Sequence, residues 1–286
     1  MVYRGLFTSV LTACLVHAGS VADELASAAR GLIQERGNAV VTVRLAMKMS
    51  FAFGPATEQQ EMVQEVTGAM VQPDGLTVLS LTATEPTSIF GMMFSMFGEE
   101  QEGFSMDSQI TDVKIILPDG KEIPGQVVLR DRDLDLAFVR PMDPPTEPFA
   151  AVDLSQSAAP EQMDLLVVLF RMGRVAGRAC GATVQRIEGI VEKPRKYYFL
   201  QGNMMATMFG GAAFLGAPAF TPTGQCAGVT VLRKMKSTGG TGPEIALVVL
   251  PAQDVLEIAQ QAPMKAAPEE EPQPPAEEAA PTVQPE

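Results

Sequence analysis

The sequence predicts an all-β protein, a barrel or a sandwich of short strands arranged in two halves. Short runs rich in β-branched residues recur between Ala39 and Val249, and turn residues bound each run. The segments Gln72–Gly75, Leu117–Gly120 and Thr221–Gly224 each place Pro and Gly where a tight turn needs them. The Pro-rich stretch Pro141–Pro148 lies between the two halves and is predicted to be a linker.

The composition and net charge argue against some classes of binding partner and against some kinds of metal or cofactor site. The chain has 286 residues, of which 46% are hydrophobic and 19% charged, so most of it is expected to be globular. Its net charge of −13 argues against nucleic acid as a partner, because phosphate binding needs a basic face. A single histidine, His17, argues against His-rich metal sites. With no Gly-rich phosphate loop, ligand cluster or Cys-x-x-Cys motif, we expect no cofactor and no metal.

Residues 1–22 have the pattern of an export signal. Arg4 supplies the positive start, Gly5–Val16 is apolar, and Ser20-Val21-Ala22 is a cleavage site of small residues. The apolar run is too short for a permanent membrane anchor, and no other segment predicts a transmembrane helix. We therefore expect a periplasmic or extracellular protein whose mature form has lost His17. A competing interpretation is a lipoprotein, because Leu11-Thr12-Ala13-Cys14 matches the pattern in which Cys14 is lipidated.

Cys180 and Cys226 are the cysteines that remain after export. In an oxidising compartment an even pair can form a disulfide. Buried free thiols are the alternative, since free cysteines often pack as core residues. The sequence leaves both alternatives open.

The elements follow in order along the chain. Apolar residues at helical spacing predict an N-terminal helix over 23–35. The first strand-rich half spans 36–140, the linker 141–150, and the second half 151–263 with a closing helix at Pro251–Gln261. Residues 264–286, rich in Pro, Glu and Ala, are predicted to be disordered. The predicted strands are Ala39–Leu45, Met62–Val71, Leu76–Leu81, Ile110–Leu117, Gly125–Leu129, Leu136–Val139, Asp164–Phe170, Gly181–Ile190, Tyr197–Gln201, Gly216–Thr221, Ala227–Leu232 and Glu244–Val249.

Three segments, in the correct order, resemble the trypsin-like serine proteases, and in particular their bacterial HtrA/Deg branch. Gly68–Thr84 resembles the strand, Pro-Asp-Gly turn and strand that end at the catalytic histidine of that family. Val113–Pro141 resembles the run that ends in the catalytic aspartate of an Asp-Leu-Ala motif, and Gly210–Gly228 the run around the catalytic serine. The resemblance covers about residues 36–260. It implies two six-stranded antiparallel β-barrels with the active site in the cleft between them.

The resemblance assigns three positions to the catalytic triad, and only one of them keeps the family's residue. Asp135 falls on the aspartate position, Thr82 on the histidine position and Leu215 on the serine position. A serine nucleophile needs a general base, and neither Thr nor Leu can replace the pair. Lys236-Ser237 does not form a substitute dyad, because neighbouring side chains on a strand point to opposite faces. We expect Asp135 to make a structural hydrogen bond, with Thr82 as its partner.

Two segments rich in Met and Phe are candidate partner-binding surfaces, since exposed methionine adapts to varied apolar partners. They are Ile89–Phe97 and Met204–Phe209, and the alternative is that they pack over the barrel ends. The sequence thus predicts an exported pseudoprotease that binds protein or peptide and is of unknown oligomeric state. The alternatives are an active HtrA-like endopeptidase with an unrecognised triad and a structural envelope protein. The candidate binding residues are Met92, Met93, Phe94, Met204, Met205 and Phe209.

Overall fold

The computed structural model describes residues 23–53, 56–85, 104–201, 214–235 and 244–265. Helix α1 spans 23–36, and a single 3-10 turn, Gly37–Ala39, connects it to the first strand. Its apolar side packs inward, with Leu32 buried and Ala29 and Ile33 half-buried. The helix predicted from apolar spacing is therefore present.

The first half of the chain forms a closed six-stranded antiparallel barrel. Its strand order is β1-β2-β3-β6-β5-β4. Strands β3 and β6 are buried along their whole length. The strands are β1 Val40–Phe53, β2 Ala56–Met70, β3 Thr77–Ser80, β4 Phe104–Ile116, β5 Glu122–Asp131 and β6 Leu136–Pro141.

The second half repeats the architecture with strand order β10-β11-β12-β9-β8-β7. Helix α2, Ala252–Ala259, follows the last strand directly and packs its Val255 and Ala259 in the same apolar cluster as Leu32 of α1. Both helices therefore contribute to one apolar cluster, which includes Val167 and Leu169 of the second barrel. The strands are β7 Leu165–Arg171, β8 Cys180–Val191, β9 Tyr197–Leu200, β10 Pro218–Phe220, β11 Cys226–Met235 and β12 Glu244–Pro251. The predicted pair of six-stranded antiparallel barrels is confirmed.

Three strands of the first barrel are longer than the sequence predicts. Residues 47–53 of β1 pair with 56–62 of β2 on one side and with 104–110 of β4 on the other. This three-stranded extension projects β1, β2 and β4 beyond the predicted strand ends. Its β2 part, Glu58–Glu61, is polar and exposed, so no hydrophobic alternation marks it as a strand. Backbone pairing rather than burial forms it.

The connection between the barrels is longer than the predicted linker 141–150 and is attached to the first barrel. Irregular chain runs from 142 to 164. The Phe149 N–H donates to the Pro73 carbonyl at 2.9 Å, and the Val152 N–H donates to the Met70 carbonyl at 2.8 Å. Val152 itself is 2% exposed. The segment thus contributes to the core. Its proline content predicted a linker, but did not reveal that the segment is attached to the first barrel.

Two arginines of the second barrel bind groups of the first barrel and of the turn before it. Arg171, buried at the end of β7, donates to the backbone carbonyls of Val40 at 2.7 Å and Gly37 at 2.6 Å. Arg178 makes a two-pronged ion pair with Glu65 of β2, at 2.9 and 2.6 Å. Backbone acceptors take the place of a carboxylate around Arg171, and burial lowers the pKa of its guanidinium.

The disulfide that the sequence allows is not formed, because Cys180 and Cys226 are both free. Cys180 begins β8 and Cys226 begins β11, and these strands share no neighbour in the closed barrel. Cys226 is buried, and its thiol lies 3.8 Å from the Gly228 carbonyl. Burial raises the pKa of Cys226 to about 12, so this thiol stays protonated as a small apolar core residue.

Within the described ranges, no helix combines the length and apolar character needed to cross a membrane.

Candidate functional site

Asp135 lies at the junction of the two barrels, in the turn that enters β6. Its φ of 59° is left-handed, a conformation that Asp tolerates better than most residues. The Asp135 carbonyl accepts the Leu81 N–H at 2.9 Å, which ties this turn to the chain that leaves β3. The backbone therefore directs the carboxylate towards the end of β3 and towards the second barrel.

Four hydrogen bonds saturate the Asp135 carboxylate. Oδ1 accepts the Thr82 N–H at 2.7 Å and the Thr82 hydroxyl at 2.6 Å. Oδ2 accepts the Ser80 hydroxyl at 2.7 Å and the Leu232 N–H of the second barrel at 2.9 Å. Each oxygen thus has one backbone donor and one hydroxyl donor. The predicted bond between Thr82 and Asp135 is present, and Ser80 is a partner that sequence reasoning missed.

Burial and hydrogen bonding have opposite effects on the pKa of the Asp135 carboxyl. The residue is only 6% exposed, and this burial raises the pKa of its carboxyl. The bonds from Thr82, Ser80 and the Leu232 N–H lower the pKa and offset part of the effect. The carboxylate is therefore held by fixed neutral donors, with no cation among its hydrogen-bond partners.

Leu215, at the serine position of the resemblance, is buried at 2% exposure. It belongs to the chain of the second barrel, but it packs in the apolar cluster of the first, which includes Leu79, Leu81 and Ala137. The next residue explains this position. Gly216 has a φ of +80°, and a Cβ built there would lie 2.8 Å from both the Thr67 carbonyl oxygen and the Leu79 Cα. Only glycine permits this approach of the two backbones.

Thr230 of β11 holds the turn that carries Leu215. Its hydroxyl oxygen accepts the Ala217 N–H at 3.0 Å and donates to the Phe214 carbonyl. Its own carbonyl accepts the Gly216 N–H at 2.8 Å. Hydrogen bonds therefore hold the turn on both sides of Leu215, and they fix the position of its backbone. A buried Thr in a strand carries no distinctive sequence signal, so this residue could not be found from sequence.

Asp135, Thr82 and Leu215 thus lie near the same junction, but they do not form a proton-transfer chain. Thr82 takes the hydrogen bond to Asp135, and Leu215 offers only apolar surface. The ranges that the structure describes contain no histidine. Nor do they contain a group of three or more His, Cys, Asp or Glu side chains arranged to hold a metal ion.

Several sequence candidates lie outside the described residues. These are the signal segment with Cys14 and His17, the Lys236-Ser237 pair, and the tail beyond Lys265. The candidate binding residues Met92, Met93, Phe94, Met204, Met205 and Phe209 lie outside them as well.

Comparison with known proteins bears on the family. The family model "Trypsin-like peptidase domain" matches residues 66–229, which include all three triad positions. No curated protein is significantly similar in sequence. Among solved structures, the protease domain of MamO from Magnetospirillum magneticum, in its apo form, is similar with a TM-score of 0.45 and 14% identity, over 79% of this chain and 98% of that one. Because the family model matches more than half of the 286 residues, the chain belongs to the family of trypsin-like peptidase domains.

Proposed function

We propose that the protein is an exported trypsin-like pseudoprotease, which binds protein or peptide partners at the junction of its barrels and does not cleave them. The observation that carries the proposal is the environment of Asp135. Its carboxylate accepts four hydrogen bonds from Ser80, Thr82 and Leu232, so Thr82 occupies the place where the family has its imidazole. A threonine hydroxyl does not accept a proton near neutral pH, and the site therefore has no general base there.

The nucleophile position supports the same conclusion. Leu215 has no attacking atom, and its side chain is buried in an apolar cluster. Ser80 is bonded to Asp135, but it is fully buried in β3 and closed to a substrate. A hydroxyl that donates to a carboxylate without an intervening imidazole also lacks the relay that activates serine in triad enzymes.

Binding without cleavage requires a recognition element, and we propose the end of β11 for this role. In the part of the chain that the structure describes, β11 pairs with β10 only through Val229, whereas its pairing with β12 continues to Met235. Beyond Leu232, whose N–H donates to Asp135, no described strand pairs with the second edge of β11, and we propose that an extended peptide adds there. Addition of an extended peptide to such an edge is a common recognition mode.

The location of the protein is part of the proposal. The pattern of residues 1–22 favours export to the periplasm or the extracellular space, and Cys14 lipidation remains the competing outcome. Mass spectrometry of the protein recovered from its envelope fraction separates the two. A mature N-terminus at Asp23 supports simple export, a lipid-modified Cys14 supports the lipoprotein, and an intact Met1 contradicts both.

The absence of catalysis is tested with a fluorophosphonate probe and casein. We expect no covalent labelling and no casein fragments, because no described serine is both activated and accessible. The Ser80→Ala variant is the informative one, with Ser155→Ala, an exposed serine, as its matched control. Labelling that disappears in one serine variant would identify an active HtrA-like endopeptidase and overturn the proposal.

Binding is tested by fluorescence anisotropy with a fluorescein-labelled, unfolded casein peptide. Thr82→Trp places a large side chain beside Asp135, and Thr111→Trp places the same side chain at an exposed position of β4. We expect peptide affinity to fall in the Thr82 variant alone, with melting curves showing that both variants are folded. Equal affinity in both variants would show that the junction is not the binding site.

The Met/Phe segment is tested separately by deleting residues 89–97. Loss of peptide affinity in this variant would support a contribution from Met92, Met93 and Phe94. Unchanged affinity, together with unchanged affinity of the Thr82→Trp protein, would favour a structural role in the cell envelope.

A further inference from the structure

A pocket opens between three segments that do not contribute to the site around Asp135. It has a volume of about 250 Å³. The end of α1 contributes Arg36, the connection between the barrels contributes Val152 and Asp153, and the turn from β10 to β11 contributes Phe220 and Gln225. None of its lining residues is a hydrogen-bond partner of Asp135.

The pocket has an apolar floor and a polar rim. Val152, Phe220 and Cys226 are 2%, 1% and 3% exposed, so their buried surfaces form the base. The rim carries Gln156, Thr223 and Gln225, which are exposed. The accessible lining is therefore more polar than apolar, which suits a charged or zwitterionic ligand better than a purely apolar one. The volume is below that of drug-sized pockets and suits a molecule of a few heavy atoms.

The rim holds one charge of each sign. Arg36 is half-buried, and it has no hydrogen-bond or ion-pair partner among the residues that the structure describes. Asp153 is exposed, and hydrogen bonds from Ser155 hold the pKa of its carboxyl below the ordinary value. Both charged residues line the same pocket, with Cys226 at its floor.

Hydrogen bonds hold the Asp153 carboxylate at the rim. Its Oδ1 accepts the Ser155 N–H at 2.9 Å and the Ser155 hydroxyl at 2.6 Å, and its Oδ2 accepts the Gln156 side-chain amide at 2.9 Å. These donors are neutral, so none of them offsets the negative charge of the carboxylate. These bonds also fix the carboxylate in place, which reduces the entropy lost when a ligand binds.

From this arrangement we propose that the pocket binds a free α-amino acid with an apolar side chain. The ligand carboxylate pairs with Arg36, its ammonium group pairs with the Asp153 carboxylate, and its side chain rests on Val152 and Phe220. A ligand with only a negative charge would be repelled by Asp153, and a ligand with only a positive charge would be repelled by Arg36. A zwitterion satisfies both, and a guanidinium matches the planar carboxylate in geometry.

The probe is L-leucine, followed by ¹H–¹⁵N NMR of the full chain. We expect saturable shifts of the Gly224 and Gln225 amides at millimolar leucine, and a melting temperature that rises with leucine concentration. N-acetyl-leucine lacks the ammonium group and leucine amide lacks the carboxylate. Each should bind about tenfold more weakly, the effect expected for loss of one charge-assisted bond. Equal binding of leucine and either analogue would overturn the zwitterion assignment.

Substitutions at the pocket test whether leucine binds there. Arg36→Gln should weaken leucine binding about tenfold, and Asp153→Asn should weaken it while raising the relative affinity of N-acetyl-leucine. The matched control is Arg186→Gln, which removes an exposed arginine from β8. Absence of leucine-dependent shifts at Gly224 and Gln225 in the wild-type protein, or equal weakening by the Arg186 variant, would contradict the proposal. Because these readouts do not involve peptide or protease activity, they stand apart from tests of the proposed function.

Discussion

The backbone N–H of Leu232, in the second barrel, donates a hydrogen bond of 2.9 Å to Oδ2 of Asp135, in the first. This bond joins the two barrels at the residue that the resemblance places at the aspartate position of the triad. Asp135 is 6% exposed, and its remaining donors come from Ser80 and Thr82 of the first barrel. A carboxylate that orients an imidazole in triad enzymes thus binds the two halves of the fold together here.

Replacing Asp135 by Asn should destabilise the protein by about 2 kcal/mol, the cost of an unpaired buried donor. Each carboxylate oxygen accepts a backbone N–H, from Thr82 or from Leu232, so the amide NH₂ faces a donor in either orientation. Urea unfolding measures the loss. Asp112→Asn, at an exposed position of β4, is the control and should be nearly neutral. Equal stability of the Asp135 variant and the control would refute this role.

Asp135 should also give a distinctive pH dependence. Burial raises its folded pKa above 3.8, so the folded state holds the proton more tightly than the unfolded state. The resulting stability is fully present below pH 3.8 and is lost as the pH rises through the folded pKa. The stability difference between wild type and Asp135→Asn should therefore grow as the pH falls from neutral. Urea midpoints at several pH values measure it, and a constant difference would contradict the raised pKa.

Glu65 should show the opposite dependence. The hydrogen bonds and charge of Arg178 hold its pKa below 4.5, so it stabilises the fold above that value and loses this effect as the pH falls through the folded pKa. Glu65→Gln should cost about 1 kcal/mol at neutral pH and nothing in acid. The control on the same strand is Glu58→Gln, an exposed residue. A deficit that persists in acid would show that packing, not charge, is responsible.

The buried guanidinium of Arg171 should be needed for docking of the second barrel. Arg171→Met leaves the carbonyls of Val40 and Gly37 without this donor, which predicts a loss of about 3 kcal/mol. Arg174→Met removes an exposed arginine from the neighbouring turn and should change stability by less than about 0.5 kcal/mol. Guanidinium chloride unfolding measures both. A small effect at Arg171 would mean that water replaces its bonds without cost.

Gly216 should tolerate no side chain. A Cβ would lie 2.8 Å from the backbone of β2 and β3, and the φ of +80° adds strain, so Gly216→Ala should cost about 3 kcal/mol or more. Gly189→Ala in β8 is the matched control, because nothing lies within 4 Å of its Cβ position. Thermal unfolding of the pair distinguishes the effects. Similar melting temperatures would show that the turn at Leu215 can move away from the first barrel.

Much of the fold could be predicted because the signals are local. Turns such as Gln72–Gly75 combine Pro with Gly, and the buried part Leu136–Val139 of β6 is continuously apolar. The polar extension of β2 could not be predicted, since strand pairing with β1 supplies its hydrogen bonds and no burial pattern records them. Asp135 could be located from the sequence because the residues next to it, Leu136 and Ala137, complete an Asp-Leu-Ala motif.

By itself, the sequence determined the strand-rich texture and the tight turns, because periodicity and turn chemistry are properties of adjacent residues. Its resemblance to the trypsin-like serine proteases implied the family, the two barrels and the placing of Thr82, Asp135 and Leu215. Only the tertiary structure decided that Ser80 and Leu232 complete the environment of Asp135, that Leu215 packs into the other barrel, and that both cysteines are free. It also brought Arg36 and Asp153 to the rim of one pocket. These relationships join residues far apart in the chain, and the closure of each barrel and the contact between them set the distances on which they depend.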